Sequence, residues 1–285
     1  MYVQDDQDHE RLDRVLAAHL NMSRQQAQSK IKKGLVRLDG QVLKASFLVQ
    51  KGQTLTILPE DIATNRIDHG DLPPVSLLYE DESLLVVDKP RGLVSQPAET
   101  VKEPTLVDAL QALCPSLSDP DQVSRFGLVH RLDRDTAGVM VVAKTHAAQA
   151  HLMAQFQDRL VTKRYYAMLK GNLAQDHDHL HYPLGRHPSK RHLRWVLESG
   201  DAAHTSYRVL QRFNSKTLVD IDLMTGRTHQ IRVHMAYIGH PVIGDQAYDT
   251  SARSGGQQLQ SYCLSFSHPI YGQRWTFQLP MASFF

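Results

Sequence analysis

Gly127 to Lys144 reads GLVHRLDRDTAGVMVVAK, and the join between its two halves decides the fold. Val139 to Ala143 is a short continuous apolar run, as expected of a strand buried on both faces. The half before it is polar and carries a carboxylate, Asp133, flanked by Arg131 and Arg134, followed by Thr136-Ala137-Gly138 as a turn into the strand. A loop held at the edge of a rigid sheet is where reacting groups concentrate. Seen alone, an Asp in such a loop more often caps a turn or pairs with a neighbouring Arg.

Outward from this segment, Leu84 to Val87 is a second buried run, and Leu218 to Leu223 alternates, with Asp220 and Asp222 predicted to face outward. Thr145 is placed to cap a helix with an apolar stripe of Ala148, Leu152 and Phe156. Ile231, Met235 and Ile238 mark another helix, closed by Gly239. Strand-like runs alternating with helical ones predict an α+β domain, a mixed β-sheet with flanking helices, over 75–285.

The chain before residue 75 reads differently. Leu12, Val15, Leu16 and Leu20 recur at helical spacing over Arg11 to Leu20. Ser23 precedes Gln26 by three residues, a capping-box arrangement, and Ala27 and Ile31 supply the apolar face of a helix ended at Gly34. Leu35 to Leu38, a turn at Asp39-Gly40, Gln41 to Leu43 and Thr54 to Leu58 predict a small sheet. Nine basic residues lie between Arg11 and Lys51 against Asp13 and Asp39, a local charge of +7. The segment 58–74 is polar, ends in a double proline and is predicted to be a linker. Thr250 to Gln260 reads as a surface loop.

Composition bounds the rest. The 285 residues carry 32 Lys+Arg against 30 Asp+Glu, a net charge of +2, with 41% hydrophobic and 22% charged residues. These are globular values and exclude a disordered or fibrous chain. Two cysteines are too few for a disulfide framework or a four-thiolate metal site. The first ten residues include Asp5, Asp6, Asp8 and Glu10, the reverse of a secretion signal, and no apolar run approaches a membrane span. A soluble, cytoplasmic monomer without membrane association is expected. His177, His179 and His181 would share one face of a strand, but without a recognised ligand spacing a solvated segment is the expectation, and no metal site is assigned.

Two resemblances sharpen these readings. MSRQQAQSKIKKGLVRLDGQVLKASFLVQKGQTLTI, with the helix before it, resembles the S4-type RNA-binding domain over about residues 10–57. The resemblance implies that Arg24, Lys30, Lys32 and Lys33 meet RNA phosphates. HRLDRDTAG resembles the HRLD-x-x-T-S-G motif of the RluA-type pseudouridine synthases, and further blocks follow in that family's order: YEDESLLVVDKPRGLVSQP, KRYYAMLKG, PLGRHPSKR, TSYRVL, TGRTHQIRVHM and GHPVIGDQAY. With the S4-like module, they imply a synthase acting on large-subunit ribosomal RNA. Gln96, Ala137 and the pair Ser261-Tyr262 depart from the common pattern, which bears on substrate choice.

The resemblance implies roles residue by residue. Asp133 is the catalytic carboxylate, Arg232 its salt-bridge partner, and Tyr165 the active-site aromatic, with Tyr166 as a rival. Ile231 packs beneath the base, Arg131 enters the space left by the target nucleotide, and Arg227 and Arg186 line the cleft. Isomerising uridine moves no electrons in or out, so no cofactor is expected. Burial disfavours an ionised carboxylate and a nearby cation opposes that. Three other readings stand beside this one: a synthase acting on transfer RNA, a noncatalytic RNA-binding protein on a synthase fold, and a glycosidase using Asp133 and Asp135.

The charge count leads to a measurable outcome. If about four of the N-terminal cations touch phosphates, deleting residues 1–60 should make the slope of log affinity against log salt shallower by about 3 to 4, at close to 0.9 per contact. A salt titration of RNA binding by the full and shortened chains checks this. An unchanged slope would leave the N-terminal module without a role in RNA binding.

Overall fold

The computed structural model describes residues 3, 5–20, 22–32, 36–38, 41–57, 74–97, 103–118, 123, 125–252 and 255–285. The chain forms two compact units, Met1–Ala63 and Thr64–Phe285.

In the first unit, α1 (Leu12–His19) and α2 (Arg24–Lys32) precede a sheet of β1 (Val36–Leu38), β2 (Gln41–Val42) and β3 (Leu55–Ile57), with β1 central and both neighbours antiparallel. Leu12, Val15 and Leu16 of α1 meet Ala27 and Ile31 of α2 and Val36, Val49 and Leu55 in one core, as the helical spacing predicts. Lys33, Gly34, the Asp39-Gly40 turn and residues 58–73 of the linker lie outside the described residues, as does the side chain of Gln26 in the expected capping box.

Among the described residues, charge enters this core at one point, Asp13. Asp13 is fully buried and accepts hydrogen bonds from Arg11 Nε at 3.1 Å, Arg24 Nε at 3.0 Å and Gln28 Nε2 at 2.7 Å. Arg24, assigned to RNA on the resemblance, is therefore also a structural partner tying α2 to α1. Lys32 is exposed.

The second unit is built on one twisted mixed sheet. Its strands are β4 (Ser76–Glu80), β5 (Leu84–Lys89), β6 (Ala137–Ala143), β7 (Thr162–Lys170), β8 (His177–Leu180), β11 (Thr205–Arg212), β12 (Lys216–Leu223), β13 (Leu259–Ser267) and β14 (Arg274–Gln278). Along the sheet the order is β4-β5-β6-β13-β7-β12-β11-β8, and β14 also pairs with β13. A separate hairpin joins β9 (Leu184–Arg186) to β10 (Arg194–Val196), and α3 (Leu106–Leu113), α4 (His146–Gln157) and α5 (Gln230–Tyr237) pack around the sheet. Thr145 caps α4 by accepting the Ala148 N–H at 3.2 Å, and α5 closes at Gly239 with φ +85°.

Burial on both faces explains the apolar runs. Met140 and Val142 of β6 join one core with Leu85, Val87, Tyr165, Ile221 and Met235, while Val139, Val141 and Ala143 join another with Leu84, Leu152, Leu264 and Phe266. The outward expectation fails for Asp220. It is buried because Tyr262 of β13 covers it, donating to its Oδ1 at 3.0 Å, and Arg164 and Arg208 pair with its other oxygen. Asp222 is exposed, as alternation predicts. Among the described residues, no helix is long and apolar enough to cross a membrane.

Asp13 supports a pH-dependent outcome. The Arg11 hydrogen bonds, with those of Gln28 and Arg24, outweigh burial and hold its carboxyl well below the usual carboxylate range. A depressed acid stabilises the fold above its unfolded value of about 3.9, and that stabilisation is lost as pH falls through the folded value. Asp13→Asn should destabilise the N-terminal unit by about 1 to 3 kcal/mol at pH 7, a deficit that shrinks below about pH 4. Amide exchange of α1 and α2 in the full chain reads both effects.

Candidate active site

The loop before β6 is pinned on both sides of Asp133. Ser95 Oγ donates to the Leu132 carbonyl at 2.7 Å. The fully buried Lys89 ammonium donates to Arg134 O at 3.0 Å, Leu93 O at 2.8 Å and Pro90 O at 3.0 Å. Burial pushes Lys89 down to about 8, against the charges of Asp135, Asp133 and Asp88. Upstream, His130 Nε2 accepts the Val141 N–H at 3.1 Å. Burial, with Lys163 nearby, pushes this imidazole down to about 3 and leaves it a neutral acceptor.

Opposite the loop stands the start of α5. The buried Gln230 amide is saturated: its oxygen accepts from Thr225 Oγ1 at 2.7 Å and from Arg227 N–H at 3.0 Å. Its nitrogen donates to His204 O at 3.0 Å and Thr205 Oγ1 at 2.9 Å. This fixes the turn from β12 into α5 and directs Arg232 inward. Arg232 Nη1 donates to Asp133 Oδ2 at 2.8 Å, while Nε and Nη2 donate to Asp245 at 2.6 and 2.8 Å. The Tyr248 ring lies 5.1 Å from the guanidinium carbon. Burial works against the Arg232 charge, but Asp245 and Asp133 together raise its pKa above the ordinary arginine value.

Asp133 is 19% exposed, at the wall of a cavity of about 560 Å³. Arg131, Tyr165, Arg227, His229, Ile231 and Arg232 line the same cavity. Strand alternation separates the two tyrosines. Tyr165 faces the cavity and the core, whereas Tyr166 stacks on Tyr262 with ring centroids 3.8 Å apart. Burial pushes Tyr165 up to about 12, the Ser261 hydroxyl opposing and Asp133 adding to the rise, so at neutral pH it is a phenol. Arg186 sits exposed on the β9-β10 hairpin and is not among the residues lining this cavity. Nor is Asp135, the second carboxylate of the glycosidase reading. Lys33 lies outside the described residues.

Three residues of this site carried no sequence-level role. Asp245, Tyr248 and His229 lie in motif blocks quoted above, yet only the fold brings Asp245 and Tyr248 onto Arg232. The one local signal was a carboxylate directly after Gly244, whose φ of +81° makes a sharp turn.

A buried arginine shared by a core carboxylate and a cleft carboxylate thus stands in one cavity with a buried tyrosine of the mixed sheet. Residues 83–237 match the RNA pseudouridylate synthase model and residues 10–55 match the S4 domain model. The chain belongs to the RNA pseudouridylate synthase family, as the HRLDRDTAG segment and its companion blocks implied. A Bacillus subtilis (strain 168) protein named Uncharacterized RNA pseudouridine synthase YlyB is 39% identical over 281 residues, 97% of this chain and 92% of that protein. Ribosomal large subunit pseudouridine synthase D of Nitrosomonas europaea is 38% identical over 282 residues, 95% of this chain and 81% of that protein. Among solved structures, Human RNA Pseudouridylate Synthase Domain Containing 1 aligns with a TM-score of 0.61 at 25% identity, covering 74% of this chain and 85% of that one.

The shared arginine supports a stability test. Asp245→Asn should destabilise the folded enzyme by about 3 kcal/mol, because it leaves a buried cation with one partner of two. Urea unfolding measures it. A loss under about 1 kcal/mol would mean that Asp133 alone balances Arg232.

Proposed function

We propose that this chain converts specific uridines of large-subunit ribosomal RNA to pseudouridine, with Asp133 as the reacting carboxylate. The observation that carries this reading is the Arg232 bridge at 2.8 Å to a carboxylate in the cleft, opposite a buried tyrosine. The chemistry breaks the bond from C1′ to N1 and forms one from C1′ to C5; the C5 proton is lost and N1 ends protonated, so the product is an isomer. Asp133 serves either as a nucleophile on C1′, giving a glycosyl ester, or as a base at C2′, giving a glycal. Both routes need it ionised. Arg232 supplies the opposing charge when RNA shuts water out.

A uridine inside a duplex hides C1′ and C5, so the target must be turned out of the stack. Arg131, exposed beside Asp133, takes the vacated place and the backbone phosphate. Tyr165 and Ile231 form the floor on which the detached uracil lies, and Arg227 holds RNA at the cleft mouth. Residues 10–57 grip structured RNA through their cations, 58–74 connect, and 75–285 carry the chemistry. The enzyme works as a cytoplasmic monomer. The ribosomal target is supported by relatives whose names state a large-subunit substrate. The intact set of Asp133, Tyr165 and Arg232 favours an enzyme over a noncatalytic RNA-binding protein.

Asp133→Asn keeps the shape of the side chain and removes its charge. Pseudouridine formation under single turnover should fall below detection while RNA affinity stays within roughly twofold. Chemical mapping of pseudouridine in ribosomal and transfer RNA from cells with and without the protein identifies the uridine. Conversion by Asp133→Asn at a few per cent of the wild-type rate would place the essential group elsewhere.

A further inference from the structure

His229 lines the cavity beside Asp133 and has no part in the reaction as proposed. Three features single it out. Its backbone sits at φ +59°, a left-handed conformation that side-chain-bearing residues rarely hold, and such strain clusters at functional sites. Its Nδ1 lies 2.8 Å from the Tyr248 hydroxyl, and that hydroxyl accepts the Arg194 N–H at 2.9 Å. Its Nε2 lies 3.9 Å from Asp133 Oδ2, too far for a direct hydrogen bond.

The Tyr248 hydroxyl has one proton. Among the described residues, the acceptor within its reach is Nδ1; with the tyrosine donating there, the imidazole proton resides on Nε2. Burial favours the neutral ring; Asp133 and Asp245 oppose this while Arg232 and Arg131 assist. The site therefore holds an N–H donor and a carboxylate acceptor side by side, with a gap that one oxygen atom can bridge at about 2.8 Å from each. An oxygen filling that gap must both accept and donate. A hydroxyl does this, and the ribose 2′-hydroxyl is attached to the carbon next to C1′, where Asp133 acts.

We propose that His229 and Asp133 together bind the 2′-hydroxyl of the turned-out uridine, Nε2–H donating to its oxygen and Asp133 accepting its proton, and that Tyr248 locks the tautomer that makes this work. The 2′-hydroxyl distinguishes RNA from DNA at a given site, so the pair acts as a ribose check at the reacting nucleotide. The inference rests on the reading of Asp133 as the reacting carboxylate.

The test pairs protein and RNA changes. The RNA segment holding the mapped uridine is made with either uridine or 2′-deoxyuridine at that one position. Single-turnover kcat/KM on both is measured for wild type, His229→Leu, His229→Gln and Tyr248→Phe, each checked for folding by circular dichroism. The wild-type preference for ribose over deoxyribose should fall about tenfold in His229→Leu, the loss of one hydrogen bond to a polar partner. His229→Gln, with an N–H near the position of Nε2, should restore part of it. Tyr248→Phe keeps the ring over Arg232 and should lower the preference severalfold. A preference unchanged in His229→Leu and Tyr248→Phe, with rates reduced equally on both RNAs, would make His229 a structural support and overturn the inference. That outcome with pseudouridine still formed leaves the proposed reaction standing; no converted uridine anywhere in the mapped RNA would remove both.

Discussion

One guanidinium, Arg232, bridges the core and the cleft, and most of the site exists to hold it. Two of its donors go to Asp245, which is fully buried and also accepts the Ala247 N–H at 3.0 Å. That leaves Nη1 for Asp133. A bidentate pair fixes the guanidinium plane as well as its place. A lone buried cation would cost several kcal/mol, so Asp245 is what allows Arg232 to stand inside the protein and offer charge to the cleft.

The sheet then has to bring two distant segments to that arginine. Asp133 precedes β6 and Arg232 follows β12, 99 residues apart in sequence. Between them lie β13 and β7, whose register sets Tyr165 opposite Ser261 and Ile221. Gly138 permits the close approach of β6 to β13, since a Cβ there would lie 2.1 Å from the Ser261 carbonyl oxygen. A side chain larger than hydrogen at that point would push β6, which follows the Asp133 loop, away from β13. Packing on both sheet faces makes such an adjustment expensive, which is how an apolar core sets distances in a polar site.

Legibility in the sequence followed the range of the interaction. Strands at Val139 to Ala143 and Leu84 to Val87, the cap at Thr145 and the helix through Ile231 and Met235 depend on local spacing, and all were readable. Asp133, Tyr165 and Arg232 were readable as candidates through motif resemblance, and strand alternation then separated Tyr165 from Tyr166. What was hidden depends on partners far along the chain. Asp220 reads as a solvent-facing residue of an alternating strand, and it is buried because Tyr262, 42 residues later, donates to it. Arg186 is placed at the cleft by resemblance alone, and its position on a hairpin that pairs β9 with β10 outside the main sheet has no signal in the local sequence. Asp245 and Tyr248 have no neighbours in sequence that foretell an arginine.

The departures from the common motif bear on this same surface. Ser261 and Tyr262 are adjacent on β13 and point to opposite faces, so Ser261 meets Tyr165 of the cavity wall and Tyr262 meets Tyr166 on the other side. Ser261 stands opposite Tyr165, where its hydroxyl opposes the upward pull of burial on the phenol. Tyr262 stacks on Tyr166 and satisfies Asp220, together with Arg164. The second change is therefore absorbed by a buried polar cluster behind the sheet, leaving the cavity wall unaltered. Within this pair, Ser261 is the residue whose contact reaches the cavity wall, through the Tyr165 hydroxyl.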